Sequence, residues 1–150
     1  MGDINHRLCA GLSVLVGTVD PQGDPSCCRA IAVRTDDDFQ TAVVYLPVAT
    51  AHDTIQNLAS TKRVAVTASH PREHRAIQLK GTTSDVRLAR DDEAAFVREW
   101  VDALATALDT VGVPKRVTRS VAHWPAFAIQ MRVEQVFEQT PGPKAGSRLR

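Results

Sequence analysis

Short β-rich runs separated by polar turns fill most of this chain, and two stretches switch to helical spacing. Residues 13–20 (Ser-Val-Leu-Val-Gly-Thr-Val-Asp) read as a strand that ends at Pro-Gln-Gly-Asp-Pro. In that turn Gly23 supplies a positive φ, so a hairpin into a second strand is expected. The second strand is Asp-Pro-Ser-Cys-Cys-Arg-Ala-Ile-Ala-Val-Arg, residues 24–34, and a polar break at 35–38 leads to a third strand at 40–46. Residues 24–46 organise the rest. In strand geometry alternate residues share a face, so Arg29 points opposite to Ala30, Ala32 and Arg34. A bulge, or a ligand at the strand's end, is needed for both arginines to touch one anion.

Further along, Pro47 stops the third strand, and 50–60 reads as a short helix with Ile55 and Leu58 inward and Thr50 or Asp53 as cap. Residues 62–68 return to strand, 70–75 form a polar loop, and 76–88 form a long strand in which Gly81 marks a bulge or close contact. Residues 91–111 are the one long helix, with Asp91 and Asp92 at its positive end and Gly112-Val-Pro114 closing it. Val97, Trp100, Val101, Leu104 and Leu108 form its apolar stripe, read as core packing. Phe127, Ile129, Met131 and Val133 alternate along a last strand at 127–137, and the tail from about 139 to 150 is turn-rich. A short helix capped by Asp3 is also expected over 3–10. Six strands with short polar connections and flanking helices predict an α+β protein built on a small antiparallel barrel. With neither repeat nor linker, residues 1–150 read as a single domain.

Charge excludes more than it suggests. Eighteen basic residues nearly cancel seventeen acidic ones, a net charge of +1. That gives no electrostatic case for nucleic acid or a membrane surface. No apolar run approaches the ~18 residues of a membrane span, and the N-terminus lacks a signal-peptide core. Three cysteines, two of them adjacent (Cys27 and Cys28), point to free thiols in a reducing cytoplasm.

Most candidate motifs fail on context. His70-Pro-Arg-Glu-His74 matches a zinc-peptidase pattern that works only on a helix, and Pro71 and the flanking strands place it in a loop, so no metal site is read. Cys27-Cys28 lacks redox spacing. There is no serine-hydrolase elbow, and Pro-Gly-Pro-Lys-Ala-Gly lacks the strand and helix of a phosphate loop, so the tail is expected to dock on a partner subunit. Arg29, Arg34, Thr50, His52 and Gln78 remain. Each alone has a dull explanation as a surface group or helix cap. Together, an arginine pair and a hydroxyl at a helix start are a known way to hold a phosphate.

Here the sequence resembles the pyridoxamine 5'-phosphate oxidase-like, FMN-binding split-barrel family. The resemblance is carried by Cys28-Arg29-Ala30-Ile31-Ala32-Val33-Arg34, by Tyr45-Leu46, by Thr50-Ala51-His52 ahead of Asn57-Leu58, and by Ile77-Gln78-Leu79-Lys80-Gly81. It spans about residues 13–86. It implies a homodimer with FMN at the subunit interface. Arg29 and Arg34 would meet the phosphate and ribityl chain, and Thr50, Ala51 and His52 would lie near the phosphate. The main chain of Ile31 and Ala32 would lie along the flavin ring, Gln78 would bond its polar edge, and Ala30, Tyr45 and Leu46 would belong to the same cofactor site. The family's Arg-Lys pair on the phosphate stands here as Ala51-His52, and its C-terminal substrate segment is missing, so pyridoxamine phosphate is not the expected substrate. The same fold hosts deazaflavin-dependent reductases and haem-binding relatives. The resemblance thus implies a cytoplasmic FMN-dependent oxidoreductase acting on a small molecule, with NAD(P)H a candidate reductant and no catalytic residue named. The alternatives are a non-catalytic flavin or haem carrier or sensor, a deazaflavin reductase, and a structural dimer with a degenerate pocket.

Overall fold

The computed structural model of this chain describes residues 8–150. Seven strands form one antiparallel sheet: β1 (Ser13–Val19), β2 (Pro25–Ala30), β3 (Ala32–Thr35), β4 (Thr41–Pro47), β5 (Arg63–Ser69), β6 (Ala76–Leu88) and β7 (Ala126–Glu138). Three helices flank it: α1 (His52–Thr61), α2 (Ala94–Asp109) and α3 (Lys115–Arg119). Single 3-10 turns at Val48–Thr50 and Asp91–Glu93 lead into α1 and α2.

The strand order is β2-β1-β5-β6-β7-β4-β3. The two edge strands, β2 and β3, are therefore neighbours in sequence, joined only by Ile31. Consecutive Cα atoms lie about 3.8 Å apart, so the two edges must meet there. The sheet curls into a barrel, and the Ile31 N–H marks the seam by donating to the Tyr45 carbonyl at 2.9 Å. This accounts for the seventh strand. The stretch expected to be one strand over 24–34 breaks at Ile31, and its halves pair with β1 on one side and β4 on the other.

Direct cross-strand partners share a face. Inside, the row Cys28, Val16, Val66, Leu79 and Val136 is buried throughout. On the outer face the corresponding row is Arg29, Leu15, Thr67, Gln78 and Phe137, with Leu15 42% exposed. Gly81 stands at a register shift in the β6–β7 ladder, where an added Cβ would run into the Arg132 carbonyl oxygen. The expectation of a bulge or close contact there holds on both counts.

The helices fill the remaining sides. Val97, Trp100, Val101 and Leu104 of α2 are buried, and the Trp100 indole N–H donates to the Leu12 carbonyl at 2.9 Å. Leu108 is only half-buried. In α1 it is Thr54 and Leu58 that are buried, with Ile55 half-buried. Neither Thr50 nor Asp53 caps this helix. Ala51 occupies the N-cap position and makes no side-chain cap bond, because the preceding 3-10 turn already carries Thr50 away from the helix end. The helix expected over 3–10 lies mostly outside the described residues, and 8–10 are not helical. Helix α3 was not legible in the sequence, being a five-residue element without amphipathic period. The tail turns back on its own strand. Leu149 N–H donates to the Val136 carbonyl at 2.7 Å and Glu138 N–H to the Ser147 carbonyl at 2.9 Å, extending the β7 ladder beyond the end of β4.

Candidate functional site

Arg29 and Arg34 flank the seam, and they part company there. Arg29, one residue before the end of β2, is exposed on the outer face, with Nη1 donating to Ser13 Oγ at 3.1 Å. Among the described residues no carboxylate lies within ion-pair reach of it. Arg34, beyond the seam, donates from Nη2 to Glu93 Oε1 at 2.9 Å and sits over the rings of Tyr45 and Phe96. The two arginines line different cavities. They are not brought together as a fork.

Glu93 accounts for Arg34. Its side chain is 3% exposed, and its carboxylate collects donors from four sides. Oε1 accepts from Arg34, from the Tyr45 hydroxyl at 2.8 Å and from Arg87 Nη2 at 2.9 Å. Oε2 accepts from Arg87 Nη1 at 2.7 Å and the Arg90 N–H at 2.9 Å. The Arg87 fork chiefly holds this carboxyl far below the usual carboxylate range against the effect of burial, with the Arg90 amide and Tyr45 hydroxyl assisting. Tyr45 is pushed the other way, up to about 12, by burial and by its bond to the same carboxylate. A buried charge satisfied this fully is a structural knot tying β3, β4 and β6 to the start of α2. In the sequence Glu93 was indistinguishable from Asp91 and Asp92, two acids at a helix start.

A second contact gathers the other candidates. The Cys28 thiol donates to the Thr50 carbonyl at 3.4 Å, with Thr50 Oγ1 3.8 Å away. That contact sets the first turn of α1 beside the strand bearing Arg29. Ala51 is fully buried beneath the turn, and His52 and Thr50 are exposed on it. The Asn57 amide of α1 then bridges Thr18 Oγ1 and Ser26 Oγ at 3.1 and 2.9 Å, pinning the helix to β1 and β2. Ala30, Ile31 and Ala32 are buried at the seam, as are Tyr45 and Leu46 next to it.

Gln78 stands three strands from Arg29 along the outer row, roughly 14 Å at the usual strand spacing. A compact group cannot touch both within one chain. The Gln78 amide is already oriented, donating to Thr67 Oγ1 at 3.0 Å and accepting from Gln139 Nε2 at 3.4 Å. The His70–His74 segment forms the tight turn between β5 and β6, as expected of a loop. There the His70 Nδ1 accepts the backbone N–H groups of Arg72 and Glu73. No described helix is long and apolar enough to cross a membrane.

With this geometry in view, solved structures supply the comparison. HupZ of group A Streptococcus superposes with a TM-score of 0.58 over 97% of this chain and 98% of its own, at 19% identity. An F420 reductase matches with a TM-score of 0.57 over 88% and 94%, at 16% identity. A pyridoxamine 5'-phosphate oxidase candidate from Lactobacillus delbrueckii matches at 0.51 over 83% of each chain, at 18% identity. The chain has the split-barrel fold. No family model matches the sequence and no curated protein matches it. At these identities the likeness fixes the architecture alone, an antiparallel curled sheet with flanking helices.

Proposed function

We propose that this chain is a homodimeric, cytoplasmic flavin-binding oxidoreductase that holds FMN against the seam, with a substrate other than pyridoxamine phosphate. The observation that carries the reading is the Cys28–Thr50 contact. It sets an α1 start without side-chain cap beside a strand whose arginine has no acidic partner among the described residues. Helix-start amides without a side-chain cap, and a guanidinium bonded to the neutral Ser13 hydroxyl, are each complementary to a phosphate. Each of these groups suits a phosphate, the α1 start on the Cys28 side of β2 and Arg29 on its outer face.

Arg29 would pair with the phosphate, and the first-turn amides of α1 would bond it, with Thr50 and His52 at its margin. Arg34 is committed to Glu93 and would act by fixing the strand rather than by touching the ligand. Bound flavin would supply the hydride chemistry. This chain's part is to bind, orient and exclude water. Gln78 would donate to the polar edge of a flavin ring at the subunit interface, roughly 14 Å from Arg29 at the phosphate end. The exposed Leu15 between them would lie in that interface. Leu15→Lys should therefore yield monomers in sedimentation velocity, and an unchanged dimer would move the interface elsewhere.

The neighbour named as an F420 reductase makes the deazaflavin reading the nearest rival. A visible spectrum of the purified protein, followed by mass spectrometry of what heat releases, separates them. Flavin bands with FMN released support the proposal. A Soret band would move the assignment to haem, and a colourless protein that takes up neither FMN nor a deazaflavin would end it.

A further inference from the structure

Past Arg132 the sheet would have an open side. Thr41 is the first residue of β4 and pairs with Arg132, while β7 runs on to Glu138. Such a row of unpaired N–H and C=O groups is a template for another strand. The chain's own tail takes that place, antiparallel, with a bridge between Phe137 and Arg148. Gly146 N–H donates to the Glu138 carbonyl at 2.7 Å and Val136 N–H to the Arg150 carbonyl at 3.0 Å, completing the ladder. At its end the Arg150 guanidinium donates to the Val133 carbonyl at 2.7 Å and to the Asp38 carbonyl at 2.8 Å.

Burial and charge set this segment apart from the strands of the barrel. Residues 141–149 are exposed throughout, so main-chain bonds and one arginine hold the tail, with no side chain of that stretch in the core. Segments held in that way open locally at small cost in free energy. The seat adjoins the Asp36-Asp37-Asp38 loop, and its occupant carries Lys144, Arg148 and Arg150 without an acid. Against the effect of burial, bonds from Thr41 and Gln40 and the charge of Arg150 hold the Asp36 carboxyl below the usual carboxylate range.

We propose that the side of β7 from Val133 to Glu138, with the adjoining Asp36-Asp37-Asp38 loop, is a strand-addition site for a basic, extended segment of a partner protein, kept closed by the chain's own tail. Main-chain pairing supplies the affinity, and the arginine at the Val133 end and the acidic loop supply the specificity. The tail competes from an effective concentration in the millimolar range, because its tether is short. A partner segment therefore binds weakly until the tail is released. None of these residues belongs to the proposed cofactor site.

The probe is a fluorescein-labelled, C-terminally amidated peptide of residues 144–150, Lys-Ala-Gly-Ser-Arg-Leu-Arg, followed by anisotropy as the full chain is added. Leu149→Pro in the protein removes the N–H that donates to the Val136 carbonyl and loosens the tail at full chain length. This variant should bind the peptide saturably, and the wild type roughly tenfold more weakly because its tail competes. The same Leu149→Pro change in the peptide should abolish binding, and so should exchange of its Lys and Arg residues for Glu. Asp37→Asn combined with Asp38→Asn should weaken binding severalfold, as should salt that screens the loop. No saturation with Leu149→Pro up to about 1 mM protein would overturn the proposal, and so would equal binding by variant and wild type. Hydrogen exchange on the wild type tests the opening without a substitution. The Val136 and Glu138 amides, bonded to the tail, should exchange at least about 100-fold faster than amides of the β4–β7 ladder. Equal protection would make the tail a permanent strand and end the proposal. Oligomers beyond those of the wild type, formed as Leu149→Pro is concentrated, would also end it by assigning the slot to the tail of a second copy.

Discussion

The Tyr45 hydroxyl donates to Glu93 Oε1 across 2.8 Å, joining the middle of the barrel wall to the first turn of the long helix. Both groups are buried, and each shifts the other's ionisation away from its ordinary range.

Acid should therefore act through Glu93. Its carboxyl is depressed in the folded state, so its stabilisation is fully present above the unfolded value of about 4.3 and is lost as pH falls towards the folded one. Replacing it by Gln leaves Arg87 without its charge partner and should cost about 3–5 kcal/mol at pH 7. Thermal melts between pH 7 and pH 3 should show a steep acid loss in the wild type and a shallower one in Glu93→Gln. Parallel slopes would mean that other carboxylates govern acid stability.

Tyr45 is the single tyrosine of the chain, which makes its titration readable by absorbance alone. Its phenol is pushed up to about 12, above the unfolded value of about 10. The unfolded chain thus releases the proton first, and stability should fall as pH rises between those two values. A phenolate band appearing near pH 10 in the folded protein, before any loss of circular dichroism, would contradict the buried geometry.

The two arginines of the seam should separate by phenotype. Arg29→Ala is expected to weaken FMN binding roughly tenfold or more with little change in melting temperature. Arg34→Ala should do the opposite, costing about 1 kcal/mol of stability because its partly exposed guanidinium is only one of the donors on Glu93. Equilibrium dialysis and thermal melts on the same two variants decide the matter.

Gly81→Ala should be among the worst single-methyl substitutions in the molecule. The new Cβ meets the backbone carbonyl of Arg132, which cannot rotate away as a side chain could. A loss of about 3 kcal/mol, or failure to fold, is expected from denaturant titration. A neutral result would mean that the β6–β7 bulge relaxes freely.

Much of this architecture was visible in the alternation of small and apolar residues, and the reasons for the misses are local. The long strand at Ala76–Leu88 was bounded correctly because polar turns flank it on both sides. Ile31 gave no sign of breaking the preceding strand, since nothing in Arg-Ala-Ile-Ala-Val distinguishes a seam from a continuous β-run. The burial of Glu93 was invisible because it depends on Arg34, Tyr45 and Arg87, which reach it from three different strands. For the same reason the arginine pair looked like a fork in sequence and is divided in space. Lys62, in left-handed conformation at the end of α1, occupies a position where glycine is the usual signal.

A barrel ordinarily has to find its own closure, bringing two distant edges together at the expense of the chain's freedom. Here the covalent chain has performed that step before folding starts, because the edges are adjacent residues on either side of Ile31. What folding must still search for is the placement of β5 beside β1 and of β7 beside β4, both far apart in sequence. Flexible residues inserted after Ile31 would convert a built-in hinge pin into an ordinary loop, slowing the assembly of the ring while leaving its interior contacts unchanged.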